Sequence, residues 1–483
     1  MSTVETTPKR ELPLGDRPTD VRVVASEVYL LPVVTRVPLK FGSETLTSVT
    51  CVRVRLTVRD REGRLFEGWG ETPLSIQWIW PSPLPYQERF DAAVSFVDEL
   101  NTAWSRFEAW GHALEVGHAF QHLSLESVRA QFNADRPAGG ELPHLAALVC
   151  CSAFDLALHD AYGNAQGRPV YETYNADFLS HDLFSYLEPA DGVSVDFAGM
   201  YPQDYFVPQR ADRMPAWHLV GGLDPLEKAD LDGSEPSDGY PVLLADWIER
   251  DGLGCLKVKL RGNDSHWDFE RLVRVATIGQ RAGVEWLCAD FNCTVTDPLY
   301  VNDILDRLAA ENPEVFGMLL FLEQPFPYDM KANRIVVNSV SQRKPLLMDE
   351  SADDWQHVKL GHSLGWTGVA FKTCKTQTGT LLSLCWAKAH GMHLMVHDLT
   401  NPMLAQIPHV LLAAHAGTMM GVETNAMQFY PEASSPEAEV HPGIYARRNG
   451  QIDLSTIRGT GFGYRVDEIQ RELPASSFRS EAE

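Results

Sequence analysis

The stretch from Cys255 to Asn292, CLKVKLRGNDSHWDFERLVRVATIGQRAGVEWLCADFN, decides the fold. A short apolar run carrying Lys257 and Lys259 gives way to "HWDFERLVRVATIGQRAG", whose apolar residues recur at three-to-four spacing. A second apolar run then ends on Asp290 and Asn292. Strand, amphipathic helix, strand is the rhythm of a parallel sheet assembled from βα units.

Working outward, the rhythm holds across the whole C-terminal half. Eight strand candidates follow Pro215: "WHLVGG" at 217, "CLKVKL" at 255, "EWLCADFN" at 285, "GMLLFLEQP" at 317, "PLLMDES" at 345, "GVAFKTCK" at 368, "HLMVHD" at 393 and "GVETNAMQF" at 421. Helical stretches such as "PLYVNDILDRLAAENP" and "TGTLLSLCWAKAHG" separate them and close at or near Gly, Pro or Asn. Eight strands close a barrel, so residues 215–458 are expected to form a modified TIM (β/α)-barrel of the α/β class. Upstream, "VRVVASEVYLLPVV" and "SVTCVRVRLTVRDREGRLFEGWGE" alternate as antiparallel strands, with a hairpin turn over Asp60 to Gly63. Helical patterns such as "LPHLAALVCCSAFDLALHDAYGNAQG" then follow. Residues 21–174 therefore read as an α+β capping domain. Residues 175–214, rich in Asp, Pro and aromatics and without a period, read as an insertion or linker. Residues 1–20 are polar, lack an apolar h-region and are expected to be a disordered leader; residues 459–483 are expected to return to the cap.

Composition narrows the class. Hydrophobic residues make up 44% and charged residues 22%, and no run of 18 or more apolar residues occurs, so a cytoplasmic globular protein is expected. The net charge of −24 repels nucleic acid and anionic membrane, and an anionic substrate has to be met by local positive charge. The eight cysteines form no Cys-x-x-Cys pair and no zinc spacing; buried thiols are expected.

Polar residues interrupt the buried strands at one end only. Lys257, Asp290, Glu323, Asp349, Lys372 and His397 follow one another at 33, 33, 26, 23 and 25 residues, each step one βα unit. They should therefore stand side by side at the C-terminal mouth, where barrels of this kind place their chemistry. Three carboxylates converging from adjacent strands repel one another unless a hard cation sits between them, and an all-oxygen set suits Mg²⁺. Asp290, Glu323 and Asp349 are the expected ligands, with Glu350 the alternative to Asp349. The lysines of "KVK" and "FKTCK" would face that cation, which would pull their pKa toward values useful in a base. Lys375 reads as a solvated first-turn lysine. Trp78 and Trp80 lie in a Pro-flanked loop that suits a lid.

With "LKVKL", "ADFN", "LEQP", "MDES" and "FKTCKTQTG" in order at βα spacing, and "FDLALHDAYGNAQGRPVYE" and "GTGFGYRVDEI" flanking them, the chain resembles the enolase superfamily, specifically its muconate-lactonizing-enzyme-like subgroup within the mandelate racemase/muconate lactonizing enzyme family. The resemblance covers roughly Val21 to Ile469 apart from the insertion. It implies abstraction of the α-proton of a carboxylate substrate by a lysine base and stabilisation of the enolate by one Mg²⁺ per subunit, with Mn²⁺ as a substitute. It makes Lys259 the base on one face, Lys257 its electrostatic helper and Lys372 the group on the opposite face. Asn292, just beyond the first ligand, and His397 and Trp78 are the expected substrate contacts. The cap loops "KFGSETLTS" from Lys40 and "SIQWIWPS" from Ser75 would set specificity.

Cycloisomerase, racemase or epimerase chemistry by an isomerase or lyase is the leading expectation, in a homo-oligomer with a small carboxylate substrate and neither nucleic acid nor membrane as partner. One alternative is an acid-sugar dehydratase of the mandelate-racemase type, with His397 protonating the leaving hydroxyl. The other is a catalytically inactive barrel acting as a binding protein. Lys372 stands where that racemase subgroup carries the Asp of a His–Asp dyad, and "GVETNAMQF" lacks the Asp-x-Asp that grips an amino group in dipeptide epimerases.

Overall fold

The computed structural model describes residues 15–42 and 44–482, so the leader expected over residues 1–20 lies mostly outside the described residues. Its described end is held in place: Arg17 donates to the carbonyls of Ala176 and Asp177 at 2.9 Å, and Asp20 is buried.

Three long strands open the chain, β1 (Val21–Phe41), β2 (Glu44–Asp60) and β3 (Leu65–Leu74), and pair antiparallel. Alternate side chains of β2, among them Val52, Val54, Leu56 and Val58, are buried. At the hairpin expected after Asp60, its Oδ1 accepts from Glu62 and Arg64 backbone N–H at 2.9 and 2.8 Å. The helix His144–Gln166 lies on this sheet. Gly68 and Gly70 permit the contact, since a Cβ on either would come within 2.1 Å of helix backbone. That helix is long and apolar enough to cross a membrane, but its most apolar window is wholly buried between sheet and barrel, as an all-round apolar core helix should be.

Eight parallel strands follow: β4 (Arg213–Val220), β5 (Cys255–Lys259), β6 (Trp286–Asp290), β7 (Leu319–Glu323), β8 (Leu346–Met348), β9 (Gly368–Phe371), β10 (His393–Val396) and β11 (Val422–Glu423). Hydrogen-bonded neighbours run β10-β9-β8-β7-β6-β5-β4-β11, and β10 and β11 touch at the ends of that path. Sequential order with β11 beside β4 is the closure of a (β/α)-barrel. Trp217, Cys255, Cys288, Phe321, Leu347 and Met395 plug its interior. A short strand β12 (Gln451–Asp453) pairs antiparallel with β4. Residues 175–214 hold no strand before Arg213 and pack on the outside of the barrel: Leu183, Leu187 and Phe197 join its core, and Trp386 donates to the Glu188 carbonyl at 2.8 Å.

After the barrel the chain comes back to the cap. Asp160 on the cap helix accepts from Phe462 N–H at 2.7 Å, and the last strand, β13 (Phe478–Glu481), pairs antiparallel with β1. Between them, buried Arg53 on β2 bridges Glu71 on β3 and Glu437 beyond the barrel, and Arg471 grips Glu437 as well. Removing one partner of a buried ion pair leaves the other uncompensated, at a cost of about 3–5 kcal/mol. Arg53→Met is therefore expected to lower the urea unfolding midpoint strongly, and an unchanged midpoint would remove this network from the forces joining cap to barrel.

Candidate active site

Strand register brings the polar strand ends to one level: Lys259 pairs with Asp290, and Asp290 with Glu323, across β5, β6 and β7. Each carboxylate strand then turns sharply. Asn292, Cys293 and Gln324 adopt positive φ of 45°, 63° and 34°, a strained region for residues with a Cβ that is found where geometry serves a site. The turns lock their neighbours. Asn292 N–H donates to Asp290 Oδ1 at 2.9 Å, while Gln324 Oε1 accepts from Asp349 N–H at 2.7 Å and from Ser351 Oγ at 2.8 Å, fixing the segment that carries Asp349 and Glu350.

Lysines and carboxylates interleave in the mouth. Lys257 Nζ stands 2.7 Å from Glu323, 3.1 Å from Asp290 and 3.1 Å from Glu423. Lys259 Nζ donates to Asp290 Oδ2 at 2.5 Å. Lys372 Nζ donates to the Asp398 carbonyl at 2.8 Å and lies 3.1 Å from Asp349. Burial alone would pull Lys257 down, but Glu323, Glu423 and Asp290 together hold it well above its ordinary value. Lys372 follows the same logic: burial lowers it, and Asp349 more than restores it. Burial raises Glu423, yet Lys257 and His397 bring it down to about 2.

All six expected catalytic and ligand residues thus come together: Lys257, Lys259, Lys372, Asp290, Glu323 and Asp349. Asn292 sits at the rim, where its Nδ2 donates to Glu350 at 3.1 Å. Trp78 reaches in from the cap: its Nε1 donates to Glu350 Oε1 at 3.0 Å, and its ring lies 4.9 Å from Lys372 Nζ. A cavity of about 40 Å³ remains, bounded by Lys257, Lys259, Lys372, Glu423, Phe41 and Trp78. His397 is not among its walls. It lies beneath them, 1% exposed, with Nδ1 2.9 Å from Glu323. A larger groove of about 550 Å³ between β1 and Pro431–Ala433 holds none of these lysines or carboxylates.

Lys375 is not solvated. The turn Thr373–Lys375 curls it under β8, where it is 3% exposed and donates to the Asp349 and Ala352 carbonyls. Glu423, Gln324 and Asn425 had no place in the sequence reading; Asn425 Nδ2 bridges Glu423 and Asp398 at 2.7 and 3.0 Å. The one signal for Glu423 was an acidic residue closing the last apolar run.

Whether these residues suit a divalent cation can be judged from charge and donors. Six buried carboxyl groups (Asp290, Glu323, Asp349, Glu350, Asp398, Glu423) face four buried lysines (257, 259, 372, 375), so acidic groups outnumber basic ones by two. Burial, followed by Asp349 and Asp290, pushes Glu350 up to about 7. Asp349 Oδ1 is buried without a hydrogen-bond partner. Among the described residues no three acidic, His or Cys side chains converge as they would around an ion, because lysine ammonium groups stand between the carboxylates. In charge and in oxygen donors the set fits a hard divalent cation.

Residues 241–470 match the enolase C-terminal domain-like family. The match runs from just before β5 to beyond β11. Solved structures of low identity share the fold over nearly the whole chain. N-succinyl Arg/Lys racemase from Bacillus cereus is 14% identical with a TM-score of 0.60, covering 96% of this chain and 100% of its own. Muconate lactonizing enzyme from Pseudomonas fluorescens, complexed with muconolactone, is 16% identical with a TM-score of 0.56, covering 92% and 96%. A dipeptide epimerase from Enterococcus faecalis, complexed with Mg and a dipeptide, is 15% identical with a TM-score of 0.57, covering 92% and 99%. No curated protein matches in sequence. Racemases, epimerases and cycloisomerases thus share this enolase-type architecture.

Proposed function

We propose that this chain abstracts the α-proton of a small carboxylate substrate, as an isomerase-type enzyme of the racemase or cycloisomerase kind. The observation that carries the reading is that Lys259 and Lys372, from strands on opposite sides of the barrel, wall one cavity. Lys259 as the neutral amine takes the proton: the C–H bond breaks, the new bond forms at Nζ, and the electron pair moves into the carboxylate. The ammonium groups of Lys257 and Lys372 meet the charge that develops there, in a cavity that Trp78 and Phe41 also wall. Asp290, Glu323 and Asp349 would hold one Mg²⁺, or Mn²⁺ in its place, which when bound supplies further positive charge to the substrate carboxylate. His397, sealed below the lysines, has no route to a leaving hydroxyl in this arrangement, which favours the lysine reading over the dehydratase.

The test is proton exchange. A panel of carboxylates in D₂O with Mg²⁺ and the protein should yield at least one compound that takes up deuterium at its α-carbon, and chelation should stop it. No uptake in any carboxylate bearing an α-hydrogen would overturn the reading.

A further inference from the structure

A second chamber, of about 280 Å³, adjoins the lysine cavity and shares Phe41 and Trp78 with it. The cap contributes Gln77 and Ile79 to its walls, and the barrel contributes Asn292, Pro327 and Glu350. Among the described residues lining it none is Lys, Arg or His, in contrast to the three lysines next door.

Its buried side-chain atoms without a hydrogen-bond partner are all acceptors. Gln77 Oε1, Asn292 Oδ1 and Glu350 Oε2 are all buried without a hydrogen-bond partner, and the side chains of Gln77 and Glu350 are 9% and 6% exposed. The amide orientations follow from the partners: Asn292 Nδ2 faces the Glu350 carboxylate at 3.1 Å, and Gln77 Nε2 faces the Thr45 carbonyl at 3.4 Å. Trp78 Nε1 is also spent on Glu350 Oε1, and the thiol of Cys293, a weak donor, leans on the same carboxyl group. Apart from the Tyr328 hydroxyl at the exposed edge, these donors are thus spent, while three buried acceptors stay open until a donor arrives.

We propose that this chamber is the subsite for the substrate's distal end, and that it takes a cationic N–H donor, an ammonium or guanidinium group on an apolar arm. The inference rests on the carboxylate reading above and extends it: the carboxylate and α-carbon lie among the lysines, and the arm passes Trp78 into the acceptor-lined chamber. Opposite charges at the two ends then fix the direction of binding.

Two measurements separate this claim from the reading beneath it. In calorimetry, n-butylammonium should bind the intact protein saturably, and n-butanol should not. Gln77→Leu and Glu350→Gln should each weaken butylammonium by about 10- to 100-fold. In α-proton exchange, a carboxylate whose arm ends in ammonium should exceed its methyl-ended analogue in kcat/KM by a similar factor, and Gln77→Leu should shrink that preference. Absence of butylammonium binding, or equal binding of n-butanol, overturns the subsite even if methyl-ended carboxylates exchange well. Butylammonium binding with no exchange in any carboxylate supports the subsite and sinks the proton-abstraction reading alone.

Discussion

Lys259→Ala is expected to stop α-proton exchange outright on one face of the substrate, a fall of about 10²- to 10⁴-fold for a positioned base. Lys372→Ala should stop it on the other face if the protein is a racemase, and slow it if Lys372 only stabilises charge. β5 and β9 stand four strands apart in a ring of eight, so their end residues approach a central substrate from opposite sides. Their surroundings differ. Lys259 meets a single carboxylate, Asp290. Lys372 is held by the Asp398 carbonyl, the Asp349 carboxylate and the face of Trp78, all of which favour its ammonium form. Lys259 is therefore the better placed base and Lys372 the better placed acid. Exchange of each enantiomer in D₂O, followed by NMR, reads both variants, and full exchange surviving in both would remove the lysines from the mechanism.

Most of the barrel was legible in the sequence because its strands are buried on both faces. Against runs such as "MLLFLEQP", a single charge stands out, and the spacing of such charges counts the βα units. The cap was legible for the opposite reason, since a sheet covered on one face alternates. Period fails where side chains pack without regular backbone. Leu183, Leu187 and Phe197 reach the core from an irregular segment, and β13 contributes only four residues to the cap sheet. Nothing in the local pattern of either announces a partner far away in the chain.

The site was legible where one residue closes one strand, and illegible where a turn redirects a side chain. Lys375 looks like the first turn of an exposed helix, yet the curl of Thr373–Lys375 turns it under Asp349. Gln324 follows a recognisable glutamate, and its work of pinning Asp349 and Ser351 depends on a positive φ that no spacing reveals. His397 sits at the right strand end, level with Lys372, but its ring lies against Glu323 and is buried. The open acceptors of the second chamber come from three separate elements that meet only on folding.

Glu323→Gln should abolish turnover and the stabilisation conferred by Mg²⁺ while leaving the protein folded. The Gln oxygen can still accept from Lys257 and His397, which lie 2.7 and 2.9 Å from the carboxylate it replaces. Lys257 keeps Asp290 and Glu423 within 3.1 Å, in a mouth where carboxyl groups outnumber lysines, so the metal-free fold has no strong reason to weaken. A ligand that binds only the folded state stabilises it by about 2.7 kcal/mol at a hundred times its Kd, and thermal unfolding with and without Mg²⁺ therefore reads the site without any substrate. The intact protein should gain Tm on Mg²⁺ addition; Glu323→Gln and Asp349→Asn should not. Glu350→Gln should keep the gain, because Glu350 is already engaged by Trp78 and Asn292 and its open oxygen lines the second chamber, whereas among the described residues Asp349 Oδ1 accepts no hydrogen bond and has only Lys375 near it, at 3.7 Å. If Glu323→Gln unfolded the chain, Glu323 would be a structural ion-pair partner. A Mg²⁺ shift surviving in both Glu323→Gln and Asp349→Asn would move the cation away from the barrel mouth.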